Sequence, residues 1–291
     1  MFISYAQNHE DVMLWRALKG VNNGFYIDVG ANDPIIDSVT KAFYDRGWIG
    51  INIEPLDMHI SDLEVHREKD VNLKCVVGDT NGEVDIWKCN VRGWATICRD
   101  VIAQHEADGY EGEFHKVPML TLSDIWNEHV YGEVHFLKID VEGFESSVVK
   151  GMDFIRFRPW IVLIESVFPN TQTENSGGWE NVLIKADYSL IYCDGLNRFY
   201  IAKEHSELCE KFRYPPNVFD DYMDFDRIVL EENLKVAEGN LKVAEGNLKV
   251  AEGNLKVAEG KVERLEASLD RIKNSVLAKM AVKLGLLKGI L

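Results

Sequence analysis

Short apolar segments that alternate with amphipathic ones constrain the fold of this chain more than any other feature. Five apolar segments are typical of buried strands, and each carries an acidic side chain at or just after its carboxyl end: residues 25–29, 49–53, 73–77, 134–139 and 160–164. The segments between them are typical of helices, notably residues 34–46, 55–69, 121–129 and 144–150. Strands and helices in alternation predict a largely parallel sheet covered on both faces.

Two further strands, residues 189–193 and 198–202, are joined by a short Asp194-Gly195-Leu196-Asn197 turn. Strands so close in sequence pair as a hairpin, which predicts an antiparallel edge. The sequence therefore predicts an α/β, doubly wound, mostly parallel seven-stranded Rossmann-like sheet within a domain of residues 1–230. Residues 89–116 show little periodicity and are expected to form an insertion.

The segment after this domain contains a repeat. The heptapeptide NLKVAEG occurs four times in succession over residues 233–260, with leucine and alanine three residues apart in each copy. This spacing predicts a coiled-coil stalk over residues 231–280. Glycine in every heptad costs about 1 kcal/mol of helix stability per copy. The stalk is therefore expected to need a partner strand, which makes the protein a homo-oligomer.

The C-terminal segment, residues 271–291, is basic and apolar. It carries Arg271, Lys273, Lys279, Lys283 and Lys288 and no acidic residue. An amphipathic basic tail of this kind is typical of peripheral contact with an anionic membrane surface or with a biosynthetic complex. The alternative is that the lysines form the solvated face of the coil's last turns.

Composition excludes several classes of function and location. The net charge of −16 argues against nucleic-acid binding, because phosphates would be repelled. The first residues, MFISYAQNHED, lack the basic and apolar stretches of a signal peptide, and no apolar run is long enough to span a membrane. The expected location is the cytoplasm, with the basic tail available for contact at the inner face of the membrane.

The residues at the strand ends predict a cofactor site, because ligands bind beyond the carboxyl ends of strands in such sheets. The predicted cofactor-binding residues are Asp28, Gly30, Ala31, Asn32, Glu54 and Asp79. The first turn is not a GxGxxG loop, and Pro34 removes an amide that a pyrophosphate would bind. Carboxylates here suit a cofactor without phosphates, namely S-adenosylmethionine, with Glu54 on the ribose hydroxyls and Asp79 on the adenine amino group.

Several stretches carry a resemblance to a known family. They are SYAQNHEDVML (4–14), residues 25–55 with the DVGAN turn, CVVGDTNGEV (75–84), TLSDIW (121–126), LKIDVEGFESSVVKGMDF (137–154), RPWIVLIE (158–165) and YCDGLNRFYIA (192–202). Over roughly residues 3–225 the chain resembles the FkbM-type methyltransferases. The resemblance implies a Rossmann-like methyltransferase fold, S-adenosylmethionine as cofactor, and O-methylation of sugars or small natural products. Asp33 and Pro34 depart from the family's longer glycine-containing turn.

The LKIDVEGFE stretch supplies the predicted catalytic residues Asp140, Lys138 and Glu142. Asp140 is expected to act as general base or as a metal ligand, with Lys138 beside it. Asp140, Glu142 and Glu165 are the candidate ligands of a divalent cation.

Trp94, Glu165 and Arg92 are expected to bind the substrate. The predicted function is O-methylation of a sugar hydroxyl in a bacterial surface polysaccharide or glycolipid. A small natural product as acceptor, a non-catalytic coiled-coil scaffold and a nicotinamide-dependent oxidoreductase remain alternatives. The missing GxGxxG argues against the last of these.

Overall fold

The computed structural model describes residues 1–169 and 171–285, and the chain divides into two units, Met1–Asp226 and a second that begins at Arg227. The strands are β1 (Phe2–Ser4), β2 (Phe25–Val29), β3 (Ile49–Ile53), β4 (Val71–Leu73), β5 (Val76–Gly78), β6 (Gly82–Cys89), β7 (Gly112–Thr121), β8 (Phe136–Ile139), β9 (Ile161–Glu165), β10 (Tyr188–Cys193), β11 (Asn197–Ala202) and β12 (Tyr222–Asp224). The helices are α1 (Glu10–Leu18), α2 (Lys41–Tyr44), α3 (Asp57–His66), α4 (Arg99–Ala107), α5 (Leu122–His129), α6 (Glu145–Lys150), α7 (Glu180–Lys185), α8 (Phe225–Asn274) and α9 (Val276–Lys283), with 3₁₀ segments at Lys203–Phe212 and Val218–Asp220.

The main sheet has seven strands in the order β10-β11-β9-β8-β2-β3-β4. Pairings from β9 through to β4 are parallel, whereas β11 runs antiparallel to both β9 and β10. The α/β class is therefore confirmed, but the sheet is mixed, and the prediction of a mostly parallel sheet applies to its five-stranded part alone. Strand order reverses between β2 and β8, which places a ligand crevice at their carboxyl ends.

Helices cover both faces of this sheet, because its strands are apolar on both sides. On one face Ile27 packs in a cluster with Leu122 of α5 and Val148 of α6. On the other face Tyr26 packs with Leu14 of α1 and Phe43 of α2. Neighbouring residues of β2 thus point into two different cores, which is the pattern of a strand in the centre of a doubly covered sheet.

The prediction of a helix over residues 34–46 is wrong, because the helix here is confined to α2 at Lys41–Tyr44. The Asp33 carboxylate accepts hydrogen bonds from the backbone amides of Ile35 and Ile36 at 2.8 Å. Such a side-chain turn competes with helix formation. The stretch that follows β2 is instead a loop that borders the crevice.

The strand predicted over residues 73–77 is divided between two sheets. β4 closes the edge of the main sheet, whereas β5 pairs with β7 in a separate three-stranded sheet ordered β5-β7-β6. The predicted insertion at residues 89–116 is correspondingly more regular than expected, because it contains α4 and the first half of β7.

In the second unit the four heptapeptides lie within the single helix α8. Leu234, Leu241 and Leu248 are each 59% exposed in the single chain. The coiled coil therefore stays a prediction. Of the predicted tail, residues 286–291 lie outside the described residues. Among the described helices, none is both long and apolar enough to cross a membrane.

A buried polar network fixes the loop after β2 to the sheet. The fully buried Arg67 guanidinium donates to the Pro34 carbonyl at 2.7 Å, to Ser38 Oγ at 2.9 Å and to the Tyr26 hydroxyl at 3.1 Å. The Tyr26 hydroxyl in turn donates to Asp70 at 2.5 Å, and Asp70 lies 4.0 Å from Arg67. Each of these hydrogen bonds connects the segment after α3 either to β2 or to the loop that follows β2.

We expect Arg67→Met to lower the free energy of unfolding by about 3–5 kcal/mol, because it leaves three buried acceptors without their donor and removes the cation beside the Asp70 carboxylate. Denaturant titration measures the effect. Arg213→Met is the matched control, since Arg213 is largely exposed and should change stability by less than about 1 kcal/mol. Equal losses for the two variants would contradict the proposed role of the network.

Candidate functional site

A cleft of about 560 Å³ opens at the carboxyl ends of β2, β3, β8 and β9. Its volume falls within the range of roughly 300–1,000 Å³ typical of small-ligand sites. Predicted residues that line it are Gly30, Ala31, Asn32, Glu54, Arg92, Trp94, Lys138, Asp140, Glu142 and Glu165. Ten of the twelve residues predicted for the site therefore line one cleft, whereas Asp28 and Asp79 do not.

Gly30 brings the turn after β2 against the turn after β8. Its φ is +81°, and a Cβ built on it would lie 1.8 Å from the Asp140 carbonyl oxygen. Its amide and that of Ala31 donate to the Ile53 carbonyl at 3.0 and 3.1 Å. No side chain is compatible with this position, so the glycine sets the distance between the two central strand ends.

Lys138 is the central cation of the site. Its ammonium donates to the Gly30 carbonyl at 2.9 Å and lies 3.3 Å from Asp28 Oδ1 and 3.4 Å from Asp140 Oδ2. Burial alone would lower the pKa of Lys138, but the two carboxylates more than offset it and raise the pKa above its ordinary value. Lys138 therefore stays charged and positions Asp140 rather than accepting a proton.

Asp28 lies beneath the cleft rather than on its surface. It is 1% exposed and accepts a hydrogen bond from Thr40 Oγ1 at 3.0 Å. Asp28 does not line the cleft, so its position does not support the predicted direct contact with the cofactor; it adjoins the cleft through Lys138. Burial of the strand's carboxyl end is the physical reason, since the side chain points down between β2 and α2.

Glu54 faces the cleft with both carboxylate oxygens anchored. Oε2 accepts from the Asn32 amide at 3.1 Å, and Oε1 accepts from the Leu56 amide at 3.0 Å. Burial raises the pKa of Glu54 to about 7 despite these bonds. Each oxygen retains a lone pair, so a fixed carboxylate is available to hydroxyl donors.

Asp140, Glu142 and Glu165 form the acidic side of the cleft, which we call the acid cluster. The Asp140 side chain is 40% exposed, whereas Glu165 is 9% exposed and its Oε2 has no hydrogen-bond partner. Burial and then repulsion from Asp140 raise the pKa of Glu142 to about 8 and that of Glu165 to about 10. Cations near these groups would favour their ionised forms.

The predicted divalent-cation site is not formed. Within the described part of the chain, no three His, Cys, Asp or Glu side chains are grouped as metal ligands. Asp140, Glu142 and Glu165 line the same cleft, but the structure does not converge them on one point as ligands. The Asp140 carboxylate instead turns toward the Lys138 ammonium.

Glu142 adopts an unusual backbone conformation for a residue other than glycine, with φ of +53°. Two side chains hold it there. Thr96 Oγ1 donates to the Glu142 carbonyl at 2.8 Å, and Glu145 Oε1 accepts from the amide of Gly143 at 3.0 Å. The loop after β8 is therefore fixed from both sides, and Thr96 couples it to the segment that carries Arg92 and Trp94.

Arg92 and Trp94 lie on the wall built by the insertion. Arg92 pairs with Asp33 at 3.2 Å and donates to the Ile36 carbonyl at 3.1 Å, so it joins this wall to the loop after β2. The Trp94 ring stacks on His105 with 4.5 Å between centroids and an 8° angle between planes. Arg92 and Trp94, which were predicted together with Glu165 to bind the substrate, thus line the cleft.

Asp79 does not reach the cleft. It is exposed, and its backbone amide donates to Ser147 Oγ at 3.1 Å. This position does not support the predicted contact with adenine, and its physical reason is that β5 pairs with β7 rather than within the main sheet. Cys75, Val76 and Val77 line this part of the cleft instead.

Other lining residues were outside the predicted set, notably Asn197, His59 and Gln172. Asn197 pairs in register with Glu165 and donates through Nδ2 to Glu10 Oε1 at 2.7 Å. The signal for Asn197 was its place directly after the Asp194-Gly195 turn, opposite the end of β9. No sequence pattern marks His59 or Gln172, because both reach the cleft from loops or helices without a motif.

Comparisons with known proteins give the family of the chain. A family model described as the methyltransferase FkbM domain matches residues 28–190, more than half of the chain. Two solved structures are similar to this chain. Methyltransferase FkbM from Methylobacillus flagellatus KT matches at 15% identity with a TM-score of 0.39, over 64% of this chain and 47% of that chain. A TehB-like SAM-dependent methyltransferase from Corynebacterium glutamicum ATCC 13032 Kitasato matches at 8% identity with a TM-score of 0.37, over 66% of this chain and 88% of that chain. The chain thus spans less than half the length of the first. No curated protein matches the chain.

The raised pKa of Glu165 predicts that replacing this residue by glutamine, its neutral isostere, stabilises the fold to an extent that depends on pH. The folded protein retains a proton that the unfolded chain releases above its ordinary pKa of 4.5, so Glu165 costs stability as pH rises toward about 10. Glu165→Gln should therefore raise the free energy of unfolding by about 1–3 kcal/mol at pH 8 and by much less at pH 5.

Denaturant titrations at both pH values measure this difference. Glu64→Gln is the matched control, because Glu64 is exposed on α3 and should give no pH-dependent change. A Glu165→Gln variant that is less stable than the parent at pH 8 would disprove the assignment.

Proposed function

Since the chain belongs to the FkbM methyltransferase family, we propose that it transfers the methyl group of S-adenosylmethionine to a hydroxyl oxygen. The observation that carries this proposal is the cleft where the strand order of the sheet reverses. Carboxyl groups line it, and its two cations, Arg92 and Lys138, are already paired with carboxylates. Such a lining favours a positively charged ligand without phosphates. S-adenosylmethionine has both properties.

The residues present fit this cofactor. Asn32 Oδ1 and Glu165 Oε2 are buried at the cleft without hydrogen-bond partners, so each can accept a hydrogen bond from a bound ligand. Asn32 would bind the amino acid end beside Gly30, and the anchored Glu54 carboxylate would accept from the ribose hydroxyls. Val76 and Val77, in place of Asp79, would border the adenine.

The bound cofactor supplies a methyl group on a positively charged sulfur, which an acceptor oxygen attacks in line. The chain must hold that hydroxyl and remove its proton as the new carbon–oxygen bond forms. Asp140 is the proposed proton acceptor, because its carboxylate is open to the cleft and is held by the Lys138 ammonium at 3.4 Å. Lys138 orients Asp140, and Glu142 lies in the same acid cluster as Asp140.

We propose a sugar hydroxyl of a bacterial surface polysaccharide or glycolipid as the acceptor. The Trp94 ring on the cleft wall is suited to stacking on the CH face of a sugar. Gln7, Gln172, Thr171 and Asn197 border the same cleft and offer neutral donors and acceptors to hydroxyl groups. These residues support a polyhydroxylated acceptor over an apolar one.

The second unit is proposed to join copies of the chain. Helix α8 exposes leucine in every heptad and buries none of its side chains within the single chain. Pairing with the helix of another copy would remove this apolar stripe from water. The basic residues of the segment after Asp270 are proposed to contact a membrane surface or a biosynthetic partner.

The cofactor proposal predicts saturable binding of S-adenosylmethionine, one molecule per chain, in isothermal titration. Glu54→Gln should weaken it about tenfold, because the amide replaces a charged acceptor of ribose hydroxyls. The exposed Glu64→Gln serves as control and should bind normally. Absence of binding by the parent protein would refute the proposed function.

The proposed role of Asp140 predicts that Asp140→Asn lowers the methyl-transfer rate by about 10²–10⁴-fold, since the amide cannot accept the proton. Transfer of a radiolabelled methyl group to a panel of glycosides gives the readout. Asp85→Asn, an exposed change on β6, should leave the rate intact. Full activity of Asp140→Asn would remove Asp140 from the mechanism.

The oligomer proposal predicts a molar mass in light scattering that is a multiple of the 33.2 kDa chain. Glu in place of both Leu241 and Leu248 should reduce it to the monomer mass, because charges would enter the helix interface. Gly246→Ala, where the added methyl meets no atom within 4 Å, should preserve the oligomer. A monomeric parent protein would overturn the proposal.

A further inference from the structure

The cleft carries more negative than positive groups. Its described lining includes six acids, namely Glu10, Asp37, Glu54, Asp140, Glu142 and Glu165, but only two permanent cations, Arg92 and Lys138. Neither cation is available to neutralise the acid cluster as a whole. Arg92 is paired with Asp33, and Lys138 is shared between Asp28 and Asp140.

Glu165 carries the observation that connects this excess of acidic groups to ligand binding. The side chain is 9% exposed and its Oε2 is buried without a partner, although it borders an open cleft. A buried carboxyl oxygen without a donor costs free energy unless something that binds there satisfies it. Its neighbours Asp140 and Glu142 repel it, so a donor with positive charge is favoured over a neutral one.

The acid cluster also lies beside the turn expected to receive the cofactor. Gly30 is so close to the Asp140 carbonyl that no side chain fits between them. A ligand bound along the Gly30 turn is therefore next to Asp140 and its neighbours. A positive charge on the part of that ligand nearest the acid cluster would favour the ionised forms of these carboxyl groups, and they would stabilise it in a partly desolvated site.

We infer that the acid cluster of Asp140, Glu142 and Glu165 makes the cleft selective for charge on sulfur, so that it binds cationic S-adenosylmethionine more tightly than the neutral product S-adenosylhomocysteine. This inference rests on the proposed function. Methyl transfer converts the sulfonium to a thioether and thereby removes the charge that the cluster binds. The product is then held more weakly than the substrate, which limits product inhibition.

The discrimination should depend on pH. Burial raises the pKa of Glu142 and Glu165, repulsion from Asp140 and Glu145 adds to the increase, and Lys138 opposes it. Both groups are consequently more ionised at about pH 8.5 than at about pH 6.5, and the preference for the cation should increase over that range.

Isothermal titration of the full-length protein with three ligands tests the inference. They are S-adenosylmethionine, S-adenosylhomocysteine and sinefungin, in which an amine carries the positive charge in place of the sulfonium. We expect both cations to bind about tenfold more tightly than the neutral thioether at pH 8. Glu165→Gln and Glu142→Gln should each reduce this ratio at least about threefold, whereas the exposed Glu64→Gln should preserve it.

The outcomes separate the inference from the function on which it rests. S-adenosylhomocysteine binding as tightly as the two cations would overturn the inference and leave the methyltransferase proposal intact. A preference for the cations that survives both glutamine substitutions would overturn the role of the cluster. Failure of all three ligands to bind would refute both proposals. Thermal melting of each variant verifies that it is folded.

Discussion

The buried ammonium of Lys138 is the interaction on which the site depends. It joins the carbonyl of Gly30 to the carboxylates of Asp28 and Asp140, and so connects the ends of the two central strands where the strand order reverses. Without it, two carboxylates would face each other in a partly buried space at a cost of several kcal/mol. With it, one of them is buried and structural and the other is open to the cleft.

From this pairing follows a division of roles among the acids of the cleft. Lys138 compensates Asp28 and Asp140, and backbone amides anchor Glu54 and Glu145. Among the described residues, no hydrogen bond or ion pair anchors the carboxyl groups of Glu142 and Glu165, and burial followed by repulsion from Asp140 raises their pKa values to about 8 and about 10. The site therefore holds one set of carboxyl groups fixed by partners and a second set that is not. A cationic cofactor suits both sets.

Local patterns in the sequence predicted the centre of this site but not its edges. The strand β2, its single-glycine turn, Glu54 and the residues 138–142 lie where the pattern put them, because each depends on a buried apolar strand followed by a turn. Asp79 was misplaced because the pairing of β5 with β7 joins residues about forty positions apart. No local signal reports such a pairing.

The helix predicted over residues 34–46 failed for a similar reason. The carboxylate of Asp33 and the guanidinium of Arg67, which binds the Pro34 carbonyl from beyond α3, hold the segment as a loop. Asn197 was missed because its place in the cleft arises from the register of β11 against β9. Long-range hydrogen bonds thus decide the parts of the cleft that local propensity does not.

A crystal structure with S-adenosylmethionine bound tests the central claim most directly. We predict that the ribose hydroxyls contact Glu54, that the amino acid end follows the Gly30 turn, and that the sulfonium lies on the side of Asp140, Glu142 and Glu165. A cofactor bound outside this cleft, or one whose sulfonium points away from the three carboxyl groups, would contradict the account.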